Sequence, residues 1–428
     1  MIKIKLHWQI LIAILLAFVC GQLSGTEQGV FGISFYAMYE FVGTLFLNAL
    51  RMIIVPLIVA SIICGVANMG GRGDLGRLGG MTLGYYAITS TLAILVGLFF
   101  VNILSPGIID GAAAGDRLNL SMDDGALASA VASVEGRGGA DIAGIFLRMI
   151  PTNIVAAAAE GQMLGLIFFA LVFGYFMTQI PNRQGEVLLN FWQGISETMM
   201  RITMWIMLFA PIGVFGLVAS TVASTGFAAF QPLLLFFVTV LLALATHTFL
   251  VLPLLLKYVG RVSPLAHFKV MAPVILTAFS TASSSATLPL SMERVEKNAG
   301  VSEKVTSFVL PLGATVNMDG TALYECVAAI FLAQAYGLEL TFATQFTVVL
   351  IALLTSIGVA GIPAASLVAI TVILTAIGLP VEAIGLLLVT DRILDMCRTG
   401  VNVFSDSCGA VIIAKRQGEL GILEPDSY

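Results

Sequence analysis

Apolar runs of membrane-crossing length recur along this chain, from Ile10 to Leu23, Phe41 to Val66, Leu83 to Leu104, Leu164 to Met177, Val187 to Val218 and Leu233 to Leu256. A helix needs about 20 apolar residues to cross the hydrocarbon of a bilayer, and its backbone satisfies every N–H and C=O internally. Several such runs predict a polytopic, all-α membrane protein whose helices pack on one another. Composition agrees: of 428 residues 58% are hydrophobic and 11% charged, and the mean hydropathy is +1.01. No basic patch marks a nucleic-acid surface, so nucleic acid is not expected as a partner.

The cysteines (Cys20, Cys64, Cys326, Cys397 and Cys408) lie in apolar stretches without a CxxC pair, and His7, His247 and His267 are scattered. That pattern predicts buried thiols and no metal enzyme. No nucleophile stands beside a base, so an intramembrane enzyme is not expected either. The N-terminal segment carries Lys3 and Lys5 before an apolar core, but it has no convincing small-residue cleavage site and reads as a retained first helix.

Charge placement predicts topology. Lys3 and Lys5, Arg72 with Arg77, Arg183, Lys257 with Arg261, and Lys415 with Arg416 all fall on one side if the helices alternate. By the positive-inside rule that side is the cytoplasm, with both termini there and a cell (inner) membrane location. Ser105 to Asp141 is acidic and rich in Gly and Ala, which predicts a flexible external loop. Beyond Pro264 the apolar segments are interrupted by STASSSATLP, GATVNMDGT, SIGVAGIPAAS and DRILDMCRTGVNVFSD. Broken helices at membrane depth are tolerated where they face protein or a watery cavity. Arms bent around Ser283–Ser285 and Gly358–Pro363 satisfy the charge pattern as two re-entrant hairpins. Each precedes a broken or polar helix, which is an inverted-repeat arrangement.

On a helix, Asp391, Asp395, Arg398, Thr399, Asn402 and Asp406 fall within an arc of roughly 100°. Each ionisable residue at membrane depth costs at least ~2.5 kcal/mol, so the stripe needs compensation or a cavity. A structural ion pair of Asp395 with Arg398 is one reading. Three acids against one arginine favour the other, a site that takes cations. Asp391 is the weakest member, near the helix entrance and next to Arg392. In Gly313–Thr321, Asn317, Asp319, Gly320 and Thr321 interrupt an apolar segment; this is either a kink with a hydrogen-bonded Asp or a hard, all-oxygen cation site. Hairpin tips would offer helix N-terminal amides, which favour carboxylates. Tyr86, Thr89 and Ser90 alone read as packing. Glu325, one turn past Thr321, is either a proton carrier or a neutral hydrogen-bonding acid.

SSSATLP, NMDGTALYE, SIGVAGIP and DMCRTGVN, in this order over essentially the whole chain, resemble the signatures of the glutamate transporter family, the dicarboxylate/amino acid:cation symporters. The resemblance implies eight transmembrane helices, two re-entrant hairpins and a homotrimer in the bilayer, working as an elevator. Residues 1–80 and 145–220 would be static scaffold, 81–104 and 221–428 the moving unit, and 105–144 an external loop. It implies uptake of aspartate or glutamate with sodium as the coupling ion and no other cofactor; a C4-dicarboxylate such as succinate is the alternative substrate. Arg398 would hold the substrate side-chain carboxylate and Asp395 its amino group, with Thr321, Thr399, Asn402, Ser284, Ser285, Gly361 and Ile362 around them. One sodium would sit at Gly313, Asn317, Asn402 and Asp406. A second would sit at Tyr86, Thr89, Ser90, Asn317 and Asp319, and a third at Thr315, Ser356, Ile357 and Val359. Glu325 matches the animal proteins, where that acid is tied to proton and potassium coupling. Ala282 and Met396 stand where archaeal and animal members respectively carry an arginine.

Overall fold

A computed structural model describes residues 6–69, 75–118, 120, 150–159, 163–226, 230–338, 340, 341, 345, 348–353, 366, 369, 370, 373, 374, 377–380 and 383–423. These residues are overwhelmingly helical. Leu6–Ser24, Phe35–Met69, Leu75–Leu104 and Met163–Met177 coincide with four of the apolar runs. Among the described residues, Arg77–Leu104, Gln231–Gly260 and Glu303–Ala335 are long and apolar enough to cross a membrane.

Two expectations need correction. Val187 to Val218 is not one continuous helix: Asn182–Met207 and Ala210–Thr225 are separate helices, bent by 58° at Leu208 and Phe209. Pro211 causes the break, because it has no N–H to donate and its ring displaces the carbonyl of Met207. Ser105 to Asp141 is not a loop throughout. Ile108–Ile109 pairs with Ala112–Ala113 as a small antiparallel hairpin, and Asp116–Leu118 forms a 3-10 turn. Ile109, Ala114 and Leu118 are buried in the core, and Arg117 donates to Asp110 at 2.6 Å. Residues 119 and 121–149 lie outside the described part. The helix Phe230–Thr246 runs on to Gly260 through wide π turns at His247–Val251 and Leu256–Gly260. Such turns accommodate Pro253, whose ring would clash in a regular helix.

The first bent arm is a hairpin. Pro264–Thr281 and Ser284–Lys297 are joined at Ala282, whose left-handed φ of 50° turns the chain. The Ser283 hydroxyl then accepts from the Ala286 N–H at 3.2 Å and caps the returning helix. The second arm's tip, Gly358–Pro363, lies outside the described residues. Glu303–Val316 and Asp319–Ala335 form a helix broken at Asn317 and Met318, and Ile384–Arg416 is a continuous helix of 33 residues.

Two groups of helices result. Leu6–Ser24 and Phe35–Met69 pack on Ala210–Thr225, where Gly216 lets the backbones meet: a Cβ there would stand 2.7 Å from the Tyr39 carbonyl. The hairpin arms, Leu75–Leu104, Phe230–Thr246 and Asp319–Ala335 all pack on or next to the final helix. It is there that polar groups are buried.

Candidate functional site

All six members of the polar stripe are buried on the final helix, and they divide into two ends. At one end Arg398 is 0% exposed; its Nη2 donates to Asp391 at 2.9 Å and to Asp395 at 3.0 Å. Asp395 turns its other oxygen to Arg392 at 3.6 Å. Tyr324 lies under the guanidinium, 3.9 Å from ring centre to Cζ. The expectation of three acids against one arginine is therefore revised. Arg392 is buried and shares the load, and Asp391 is a full partner of Arg398 rather than an entrance residue.

The pairing is incomplete in an informative way. Arg398 Nε and Nη1 are buried and, among the described residues, have no hydrogen-bond partner. A buried guanidinium with two unused N–H groups is costly, since each stranded donor forfeits its hydration. Nε and Nη1 lie on either side of the occupied Nη2, and each is a charged N–H donor suited to a carboxylate oxygen.

At the other end, two carboxylates meet the break in the Glu303–Ala335 pair. The non-helical angles at Asn317 and Met318 leave the first N–H groups of the following helix without helical partners. Asn402 supplies them: its Oδ1 accepts from Gly320 N–H at 2.8 Å and Thr321 N–H at 3.4 Å, while its Nδ2 donates to Thr321 Oγ1 at 3.1 Å. Asp319 Oδ1 accepts from Ser90 at 2.7 Å, and its Oδ2 accepts from Ser405 at 2.6 Å and from His247 Nε2 at 3.1 Å. Asn317 Nδ2 donates to Asp406 at 2.9 Å and to Ser405 at 3.2 Å. Its Oδ1 lies 3.3 Å from the Thr89 hydroxyl.

The knot is closely packed around a glycine. A Cβ on Gly313 would stand 2.5 Å from Asp406 Oδ1 and 2.8 Å from Tyr86 Oη. Gly313→Ala should therefore destabilise the protein by about 1–3 kcal/mol through overpacking. A lower melting temperature of the purified protein is the check; an unchanged one would mean that the knot is loose.

The break thus gathers Tyr86, Thr89, Ser90, Gly313, Asn317, Asp319, Asn402 and Asp406, which sequence motifs alone leave in three separate segments. Thr315 turns its hydroxyl to its own helix, onto the Leu312 carbonyl at 3.0 Å, and the residues expected beside it, Ser356, Ile357 and Val359, lie outside the described part, as do Gly361 and Ile362. Thr399 likewise donates to the Asp395 carbonyl at 2.8 Å. Ser284 is buried and Ser285 exposed just past the hairpin tip. Glu325 is 0% exposed.

Sequence reading missed His247, Ser405, Arg392 and Tyr324. His247 had one available signal, a polar residue inside the apolar run before Pro253. Ser405 had its place beside Asp406.

Chemically, the first end can clamp an anion. The second offers carboxylate, amide and hydroxyl oxygens with no lysine or arginine paired to Asp319 or Asp406 among the described residues, an environment suited to a hard cation. Broken helices that bring such groups into the interior of an apolar bundle define a membrane carrier. The chain belongs to the sodium:dicarboxylate symporter family, whose sequence profile matches residues 6–416, and it is accordingly an integral membrane protein of a transporter rather than an enzyme family. It is 34% identical to the proton/glutamate-aspartate symporter of Escherichia coli K12, covering 97% of this chain and 93% of that one. It is 36% identical to the proton/sodium-glutamate symport protein of Geobacillus stearothermophilus, covering 97% and 96%. It is also 36% identical to the human neutral amino acid transporter B(0), covering 88% and 73%.

Proposed function

We propose that this chain takes up an acidic amino acid, aspartate or glutamate, together with sodium ions. The carrying observation is Arg398, a fully buried guanidinium whose Nε and Nη1 are unused among the described residues. Relatives of similar identity carry acidic or, by name, neutral amino acids, so similarity alone does not choose the substrate. Two unused guanidinium donors do, because a neutral side chain without acceptors would leave them unsatisfied. Asp395 then faces the substrate's ammonium group. A C4-dicarboxylate has no such group, which disfavours succinate or malate.

Thr321, Thr399, Asn402, Ser284, Ser285, Gly361 and Ile362 would complete the substrate site. Gly313, Asn317, Asn402 and Asp406 would take one sodium, and Tyr86, Thr89, Ser90, Asn317 and Asp319 another. Thr315, Ser356, Ile357 and Val359 would take the third. The fuller architecture belongs to the same reading. It comprises eight crossings and two hairpins, a trimer with residues 1–80 and 145–220 static, and 81–104 and 221–428 moving as an elevator. The termini would be cytoplasmic, with potassium returning the empty carrier.

Liposomes holding the purified protein, offered radiolabelled aspartate, glutamate and succinate under separate sodium, proton and potassium gradients, test the proposal. Sodium-driven uptake of the two amino acids and not of succinate is expected. Uptake indifferent to the sodium gradient would refute it.

Glu325 is proposed to carry a proton with the substrate. It is a fully buried ionisable residue within a membrane-crossing helix, where such residues mark proton relays, and both bacterial relatives are named for proton coupling. Glu325→Gln mimics the protonated acid and should preserve exchange while net uptake becomes insensitive to external pH. Wild-type pH dependence of net uptake in this variant would exclude Glu325 as the coupling residue.

A further inference from the structure

One charged cavity lies outside the stripe and the carboxylate knot. At the open base of the hairpin, Ser263, Leu265, Lys269, Arg294 and Asn298 line a space of about 450 Å³ between the two arms. Lys269 comes from the outgoing arm and Arg294 from the returning one. Among the described residues neither enters an ion pair or side-chain hydrogen bond, although Glu293 and Glu296 flank Arg294 in sequence. Glu293 is engaged by Lys297 at 3.3 Å, on the same helix. Among the described residues, the cavity therefore holds two positive charges without a counter-ion.

Its surroundings reinforce that charge. The chain from 260 to 264 leads from the long π-turned helix into the hairpin, and the Ala299 carbonyl accepts from the Leu423 N–H at 3.0 Å. Gly260 lies against Ile412. The same end of the molecule thus collects Lys257, Arg261, Lys304, Lys415 and Arg416. Of its acids, Glu419 is already occupied by the backbone N–H and hydroxyl of Ser302. On the rim, Leu265 is 67% exposed, and Ala266 and Val270 complete the apolar part of the lining.

Two unpaired cations, an amide and a hydroxyl beside an exposed aliphatic rim, at a basic end of a membrane protein, match a phosphate that carries an apolar tail. We propose that this cavity holds the headgroup of an anionic phospholipid. Lys269 and Arg294 grip the phosphate, Asn298 donates to a headgroup oxygen, and Leu265 lies along the first acyl carbons. The site is separate from the substrate and cation sites, and the proposal stands whatever the carrier transports. A lipid held there spans both arms at their base.

The test uses full-length protein in detergent micelles, titrated with phosphatidylglycerol or phosphatidylcholine and read by native mass spectrometry. Wild type should retain phosphatidylglycerol preferentially. In the double variant Lys269→Gln/Arg294→Gln retention should fall by on the order of 30-fold, which is about 1 kcal/mol for each basic side chain removed. Arg294→Lys keeps the charge and should keep most of the preference, which also guards against misfolding of the double variant. Lys297→Gln removes a neighbouring charge outside the cavity and should change little. Unchanged retention in the double variant, or an equal loss in Lys297→Gln, would overturn the site. Displacement of the lipid by millimolar inorganic phosphate would identify a soluble anion as the ligand and overturn the lipid assignment.

Discussion

Arg398→Ala should abolish measurable binding of aspartate and glutamate, lowering affinity by on the order of a hundredfold or more. Truncating one partner of a desolvated charge pair costs about 2–5 kcal/mol, and tenfold in affinity corresponds to about 1.4 kcal/mol. The argument rests on how the guanidinium is held. Asp391 and Asp395 share Nη2, Tyr324 supports one face, and among the described residues Nε and Nη1 have no acceptor. The arginine is thus held at Nη2 and keeps two charged donors for a ligand, which is how it discriminates a carboxylate from a neutral side chain.

The variant has a second consequence that must be separated from the first. Without Arg398, Asp391 is left buried without its cation, and breaking a buried pair costs roughly 3–5 kcal/mol of stability. Arg398→Lys keeps a positive charge between the acids but loses the planar fork, so it should fold and still bind acidic substrates at least tenfold more weakly. Arg398→Cys, with room and no charge, should admit small neutral amino acids. Binding of radiolabelled aspartate to monodisperse purified protein decides the matter. Wild-type affinity in Arg398→Lys and Arg398→Ala would show that another group holds the substrate side chain.

The stripe could be read from sequence because it depends only on the geometry of one helix: residues three and four apart share a face whatever surrounds them. The break at Asn317 was equally visible, since Gly and Asn inside an apolar run weaken a helix locally. What sequence concealed is of two kinds. Some features leave hydropathy unchanged. The 58° bend at Leu208 and Phe209 separates two helices that are both apolar at the join, and only Pro211 betrays it. The π turns after Thr246 likewise alter helix width and not composition. Other features are partnerships across the chain. Ser405 reaches Asp319 from 86 residues away and His247 from 72, and nothing local in either segment predicts the meeting. The role of Arg392 is concealed for a related reason. Its neighbours in sequence suggest a helix entrance, while packing by other helices buries it and turns it toward Asp395.

Asp406→Asn should raise the sodium concentration for half-maximal uptake by tenfold or more, while leaving the fold nearly intact. The substitution isolates charge from hydrogen bonding. Asp406 Oδ1 accepts from Asn317 Nδ2 at 2.9 Å, and the oxygen of an asparagine can accept the same bond. What disappears is a negative charge that no lysine or arginine compensates among the described residues, and a tenfold change needs only about 1.4 kcal/mol of lost cation attraction. Asp319→Asn is a harsher change. Three donors, from Ser90, Ser405 and His247, converge on its two oxygens. An asparagine must turn its NH2 toward at least one of them, so a serine hydroxyl has to reverse its role and find a new acceptor or be stranded at about 1–3 kcal/mol, in addition to the lost charge. The pair therefore predicts an order: both variants lose sodium sensitivity, and Asp319→Asn alone loses substantial thermal stability in the absence of sodium. Sodium activation of aspartate uptake in liposomes, measured beside melting curves with and without sodium, reads both quantities. Unaltered activation curves in the two variants would remove these carboxylates from the cation sites and leave them as structural members of the knot.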